Sequence, residues 1–158
     1  MDDAPPVSRE LSKLGIPHKV HRHAAPVTSL EQAARERGQR PQQVVRSIVF
    51  RLGEDRFIMV LAAGPSQISW KKLRQHVGQT RLTLATAAEV LRVTGYRIGT
   101  VSPIGLRQPL RILLDRGVLA VAEVSLGAGV PNTGIILTSE DLLRAIPGAE
   151  MVDLLELP

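Results

Sequence analysis

The sequence predicts an α/β protein of the α+β type, with a mixed, largely antiparallel sheet surrounded by short helices. Two observations carry this. Strand-like segments outnumber helical ones, and several are joined by turns too short for a parallel crossover. The helical segments are brief, each opened by a capping residue or closed by a glycine. A chain of 158 residues is read as one domain over 1–158, able to remove about 68–70% of its unfolded surface from water. Its start, Met1 to Val7, is acidic and proline-containing. It is read as a flexible N-terminus and does not resemble a signal peptide.

Residues 8–14 read as a helix ended by Gly15, with Pro17 beyond it. His18 to His23 reads as extended. Thr28-Ser29-Leu30-Glu31 has capping-box spacing and opens a second helix that Gly38 closes. Val44 to Leu52 is rich in β-branched residues and reads as a strand; Gly53-Glu54-Asp55 turns it into a return strand from Phe57 to Ala63. Ser69 caps a helix through His76 that Gly78 stops, and a brief strand follows at 80–84. Thr86 to Glu89 is another capping box, opening a helix to about Val93. Leu110 to Leu114 is strand-like, and Asp115-Arg116-Gly117 turns the chain. Val118 to Leu126 is expected to form one further strand or a pair. A strand at 134–138 and a helix at 139–146, capped by Ser139, complete the order.

Composition narrows the function. Aromatic residues are only 3% of the chain, so aliphatic side chains fill the core and an RNA surface built on stacked rings is disfavoured. Lys and Arg number 20 against 15 Asp and Glu, an excess that favours phosphate without identifying nucleic acid as the partner. The absence of cysteine removes disulfides, thiol nucleophiles and thiolate metal sites. No apolar run suggests a membrane span, and a cytoplasmic location is the default.

Local motifs exclude more than they identify. There is no G-x-S-x-G elbow, no G-x-x-x-x-G-K-[ST] phosphate loop and no G-x-G-x-x-G fingerprint followed by a helix. His18, His21 and His23 invite a metal, but no carboxylate shares their stretch, so hydrogen bonding is the simpler role and no metal or cofactor is expected. His23 is a candidate for a pocket wall. Arg46, amid the apolar Val44–Phe50, is either an outward-facing strand position or a guanidinium fork at a pocket edge. Lys71, Lys72 and Arg74 form a basic helix face, either solvated or touching RNA backbone. Thr94 to Gly105 holds three glycines and a proline in twelve residues. Such a segment makes either a tight connection between strands or a stiff loop whose N–H groups meet an acceptor. Gly127 to Asn132 is a second glycine-rich loop.

In order along the chain, Leu14-Gly15-Ile16-Pro17, Val27-Thr28-Ser29, Val44 to Phe50, Lys71-Lys72-Leu73, the string Thr94-Gly95-Tyr96-Arg97-Ile98-Gly99-Thr100-Val101-Ser102-Pro103-Ile104-Gly105, Ser125 to Gly129 and Glu140 to Leu143 resemble the YbaK-like, prolyl-tRNA-editing family of aminoacyl-tRNA deacylases. The T-G-Y-x-x-G-x-x-S-P-x-G string is the specific part, and the resemblance covers about residues 8–155. It implies a free-standing enzyme that hydrolyses the ester of tRNA for proline carrying cysteine or alanine, using neither a metal nor a protein nucleophile. A hydroxyl of the terminal adenosine helps to direct water. The partner is the 3′ end of aminoacyl-tRNA, with prolyl-tRNA synthetase as a second candidate. Carried onto this chain, Arg46, Gly99, Thr100, Val101 and Ser102 would be catalytic. His23, Thr28, Pro103, Gly105, Ser125, Gly127, Ala128 and Gly129 would bind substrate, Ala128 helping to set the pocket's width. Two departures stand out: the family usually places lysine where this chain has Arg46, and the acidic residue that some members carry after Gly129 has no counterpart. The alternative is a module that binds a tRNA end or a nucleotide without hydrolysis.

Overall fold

The computed structural model describes residues 4–156; residues 1–3 and 157–158 lie outside the described residues. The chain runs α1 (Pro6–Lys13), β1 (Lys19–Arg22), α2 (Leu30–Glu36), β2 (Val45–Leu52), β3 (Arg56–Ala63), α3 (Trp70–Val77), β4 (Leu82–Leu84), α4 (Ala87–Thr94), β5 (Arg111–Asp115), β6 (Glu123–Gly127), β7 (Thr133–Thr138), α5 (Ser139–Ala145) and β8 (Glu150–Val152). Two short 3₁₀ turns, Pro41–Gln43 and Arg116–Leu119, complete it. The strands divide into two sheets, β1-β7-β6 and β4-β2-β3-β5-β8. Four of the six pairings among the described residues are antiparallel, and β3–β5 and β5–β8 are parallel. The mixed, largely antiparallel character read from the sequence is therefore present. A single parallel bridge, Val44 to Ser125, joins the two sheets, and the candidate site lies at that seam.

The central strand β3 shows why the second sheet is buried on both faces. Met59, Leu61 and Ala63 pack into one core with Val7, Leu11, Leu126 and Ile135. The alternate residues Ile58, Val60 and Ala62 pack into another with Phe50, Leu73 and Leu113. Two-residue alternation thus fills both cores from one apolar run. Trp70 of α3 meets Phe50 edge to face, with ring centroids 5.2 Å apart.

Several boundaries differ from the sequence expectation. Pro6 opens α1, where a missing N–H costs nothing, and Val7 is fully buried with its N–H bonded to the Ala128 carbonyl at 3.2 Å. A flexible segment over 1–7 therefore fails at its C-terminal end, while residues 1–3 lie outside the described residues. Ser29, not Thr28, caps α2 by accepting from the Gln32 N–H. Thr138, not Ser139, caps α5. The expected strand from Val118 does not form until Glu123. Asp115 instead accepts from the Gly117 N–H and turns Arg116–Leu119 into a 3₁₀ helix with Val118 buried. The short strand β8, Glu150-Met151-Val152, was not expected.

Candidate functional site

A cavity of about 400 Å³ opens where α2, the start of β2, the turn at Gly99–Val101 and the β6–β7 connection converge. Arg37, Arg46, Ser47, Gly99, Val101, Gly127 and Asn132 contribute to its wall, with Val27 and Ser29 at the entry to α2. A second cavity of about 240 Å³ shares Ser47, Gly99 and Val101 and is otherwise apolar, including the exposed Leu84 and Ile98.

The Gly99 turn brings free donors to the wall. Thr100 is buried, its N–H bonded to the Arg97 carbonyl at 3.0 Å and its hydroxyl to the same carbonyl at 2.7 Å. The Gly99 and Val101 amides have no hydrogen-bond partner among the described residues. Gly127 is glycine because the turn presses on it: a Cβ there would run into the Val101 carbonyl and lie 2.9 Å from the Thr100 carbonyl. The turn is thus braced from behind by β6 and open toward the cavity.

Two guanidinium groups supply the charge. Arg46 is half-buried; its Nε donates to the Gly64 carbonyl at 2.8 Å and its Nη2 donates to the Ser66 carbonyl. Arg37, the last residue of the α2 cap, donates from Nε to His23 Nε2 at 3.1 Å and from Nη1 to the Ser125 hydroxyl at 2.9 Å. Neither arginine forms an ion pair among the described residues. Burial lowers both pKa values, because the charged form loses water; at Arg37 the neighbouring Glu36 carboxylate opposes the shift without reversing it, and at Arg46 no carboxylate does. Beside Arg46 the buried Ser47 hydroxyl lacks any hydrogen-bond partner. A positive wall without ion pairs and with free donors suits an anionic or carbonyl-rich ligand.

The structure brings Arg46, Gly99, Val101 and Gly127 together at the cavity wall, and the other expected residues do not line it. Ser102 is fully buried and its Oγ accepts from the Ile104 N–H at 3.1 Å, so it shapes a turn. Pro103 is buried beside it. Gly105 and Gly129 both pack on Tyr96: a Cβ on the first would lie 2.7 Å from its hydroxyl, and on the second 2.8 Å from its ring. Ala128 is fully buried and sets no pocket width. Ser125 is fully buried and donates to Gln39 Oε1 at 2.6 Å while accepting from Arg37. The Thr28 N–H and hydroxyl both go to Gln32 Oε1, at 2.9 and 3.0 Å. The His23 side chain is fully buried, bonding Glu36 Oε1 through Nδ1 at 2.7 Å, and it meets the cavity wall by accepting from Arg37.

His21 and His23 share a face as expected, ring centroids 4.6 Å apart. Of the basic cluster on α3, Lys72 ties down the C-terminal segment by donating to the Leu155 carbonyl at 2.9 Å. Arg37, Ser47 and Asn132 were missed. Arg37 reads in sequence as one more charged residue at a helix end, and no local signal marks it. Asn132 carried a signal: it sits at φ 54° in the glycine-rich loop, and its Oδ1 accepts from the Val27 N–H at 3.0 Å.

A family model described as the aminoacyl-tRNA editing domain matches residues 24–145. The uncharacterized protein YwhH of Bacillus subtilis is 34% identical over 114 residues, 72% of each chain. The proline–tRNA ligase of Brachyspira hyodysenteriae is 35% identical over 91 residues, which are 58% of this chain but 16% of the ligase. The match thus spans under a fifth of that relative's length. A solved structure, proposed to be a trans-editing enzyme for prolyl tRNA synthetase, superposes with a TM-score of 0.87 at 33% identity over 96% of each chain. No helix among the described residues is long and apolar enough to cross a membrane.

Proposed function

The chain belongs to the aminoacyl-tRNA editing domain family, and from that premise we propose that it hydrolyses the ester of mischarged tRNA, acting in trans on cysteinyl- or alanyl-tRNA for proline. The observation that carries this reading is the cavity beside Gly99–Val101, whose wall holds two guanidinium groups without carboxylate partners and two unpaired amides. The terminal adenosine and its amino acid enter there. Water attacks the ester carbonyl carbon. The Gly99 and Val101 N–H groups receive the oxyanion, a kind of donor worth roughly 3–4 kcal/mol each in other enzymes. The C–O bond to the ribose breaks as the tetrahedral intermediate collapses, and the ribose oxygen leaves with a proton. The neighbouring ribose hydroxyl orients the water, so positioning and fixed dipoles carry the rate. Proline is rejected by the shape of its ring against a rigid wall, since size alone discriminates by only about 1–3 kcal/mol per methylene.

A second reading, binding without hydrolysis, is favoured by one observation: Arg46 already spends Nε and Nη2 on the Gly64 and Ser66 carbonyls. A panel of charged tRNAs separates the two. Amino acid released from cysteinyl- or alanyl-tRNA above the protein-free rate, with prolyl-tRNA spared, supports the enzyme. Tight binding with no release leaves the binding module.

A further inference from the structure

We propose that Arg37 is a substrate-binding residue of this cavity, its free Nη2 edge hydrogen-bonding an anionic or carbonyl oxygen of the bound aminoacyl-tRNA end, with His23 and Gly134 as positioning residues. The proposal rests on the reading of the site given above and assigns that site a ligand contact outside the glycine turn.

The guanidinium is locked on three sides. Its backbone closes α2, the N–H bonded to the Ala33 and Ala34 carbonyls. Its Nε–H is an obligatory donor, so His23 Nε2 must be the acceptor, which leaves the proton on Nδ1 to be donated to Glu36 Oε1 at 2.7 Å. Glu36 is held in turn by Gln32, whose Nε2 donates to Oε2 at 2.8 Å. On the other side, Nη1 is held by Ser125, and Ser125 by Gln39, whose Nε2 donates to Glu123 at 3.0 Å. The third side is Gly134 of β7. A Cβ there would collide with Arg37 Cζ and lie 2.6 Å from Nε and 2.7 Å from Nη2. The β1–β7 ladder, which pairs Gly134 with His21, therefore keeps a side-chain-free position where the guanidinium lies.

Nη2 is what this scaffold leaves over. It has no hydrogen bond among the described residues, and it is not among the sealed side-chain atoms that lack a partner. It therefore reaches open space, and Arg37 lines the cavity. The Glu36 carboxylate makes no direct bond to the guanidinium; it is bonded to His23 Nδ1, and only its field reaches Arg37. A fixed cation with a free Nη2 and no directly bonded carboxylate is arranged to receive an oxygen acceptor. Two sources share that chemistry: the phosphate before the terminal adenosine, and the oxygens of the aminoacyl group.

Steady-state hydrolysis by Arg37→Gln and Arg37→Lys distinguishes them. On aminoacyl-tRNA, Arg37→Gln is expected to raise KM about tenfold or more, with kcat changed far less, as loss of a charge-assisted hydrogen bond would do. Arg37→Lys, which keeps the charge but not the fork, should fall between. His23→Ala should shift KM in the same direction. Gly134→Ala should shift it as well, but not further in an Arg37→Gln background. Repeating the comparison on 3′-aminoacyl-adenosine, which lacks the phosphate, names the source: a persisting KM effect places the oxygen in the aminoacyl group, and a lost effect places it in the phosphate. Wild-type KM in Arg37→Lys and in whichever Arg37→Gln protein melts cooperatively overturns the proposal alone. A wild-type protein that neither binds nor cleaves charged tRNA overturns it together with the functional reading.

Discussion

Gly99 and Gly105 lie six positions apart in one glycine-rich stretch, and they do opposite things. Gly99 has a φ of 90°, open space where its Cβ would be, and a place in the cavity wall. Gly105 has a φ of 74°, but its missing Cβ makes room for the Tyr96 hydroxyl, which donates to the Ile104 carbonyl at 2.7 Å. The stretch thus divides near Ser102. The first half lines the cavity with unpaired amides; the second wraps a buried ring. Glycine density alone does not distinguish a cradle from a packing motif. What distinguishes them is whether the absent side chain leaves empty space or is replaced by a neighbour.

Substitutions on the two sides should separate activity from stability. Tyr96→Ala removes the ring that both glycine loops enclose and should cost about 3–5 kcal/mol of stability, the range for truncating a buried aromatic. The midpoint of denaturant unfolding reads this, and a loss below about 1 kcal/mol would place Tyr96 outside the packing role. Gly99→Val should do the reverse. A β-branched residue at positive φ costs about 1–2 kcal/mol, whereas kcat/KM for mischarged tRNA should fall about a hundredfold or more as the turn and its donors are displaced. Parental turnover in that variant would remove the turn from the site. Arg46→Ala should come next, with kcat/KM reduced about tenfold through loss of the charge and of the anchor to the Gly64 and Ser66 carbonyls. Arg46→Lys should recover most of it, and an alanine variant with unchanged kinetics would take Arg46 out of the site.

The smallest effect lies away from both halves. On β8, Glu150 accepts from Arg111 Nε at 2.7 Å and Nη2 at 2.9 Å, and these bonds, with His76, hold its carboxyl down at about 2. A carboxylate depressed in the folded state stabilises the fold at pH above its ordinary value of about 4, and the contribution is lost as pH falls toward the folded value. The wild-type melting temperature should therefore decline more than that of Glu150→Gln between those limits, with kcat/KM at neutral pH the same for both. Equal slopes would mean that the pair does not couple to folding.

Much of this was legible in the sequence, for identifiable reasons. Capping residues at Ser69 and Thr86 and the turn at Gly53 are local signals, and α3, α4 and the β2–β3 hairpin follow from them. Arg46 could be singled out because a charge stands in an apolar strand. Orientation was the missing quantity. Ser102, Ser125 and Ala128 are small residues beside glycines, and only their neighbours in space reveal that they face inward. Arg37 was invisible because its meaning is assembled from positions 23, 125 and 134, none of which is its sequence neighbour. The strand β8 was hidden because its pairing to β5 is the work of a partner 37 residues away, as with Leu113 and Glu150.

The most direct measurement is an amide NMR titration with a non-hydrolysable 3′-aminoacyl-adenosine amide. The Gly99 and Val101 resonances should move downfield as their N–H groups acquire an acceptor, with Gly127 shifting behind them and Gly105 and Gly129 nearly still. Shifts centred on Gly105 and Gly129, or none at Gly99 and Val101 under saturating ligand, would place the aminoacyl end elsewhere.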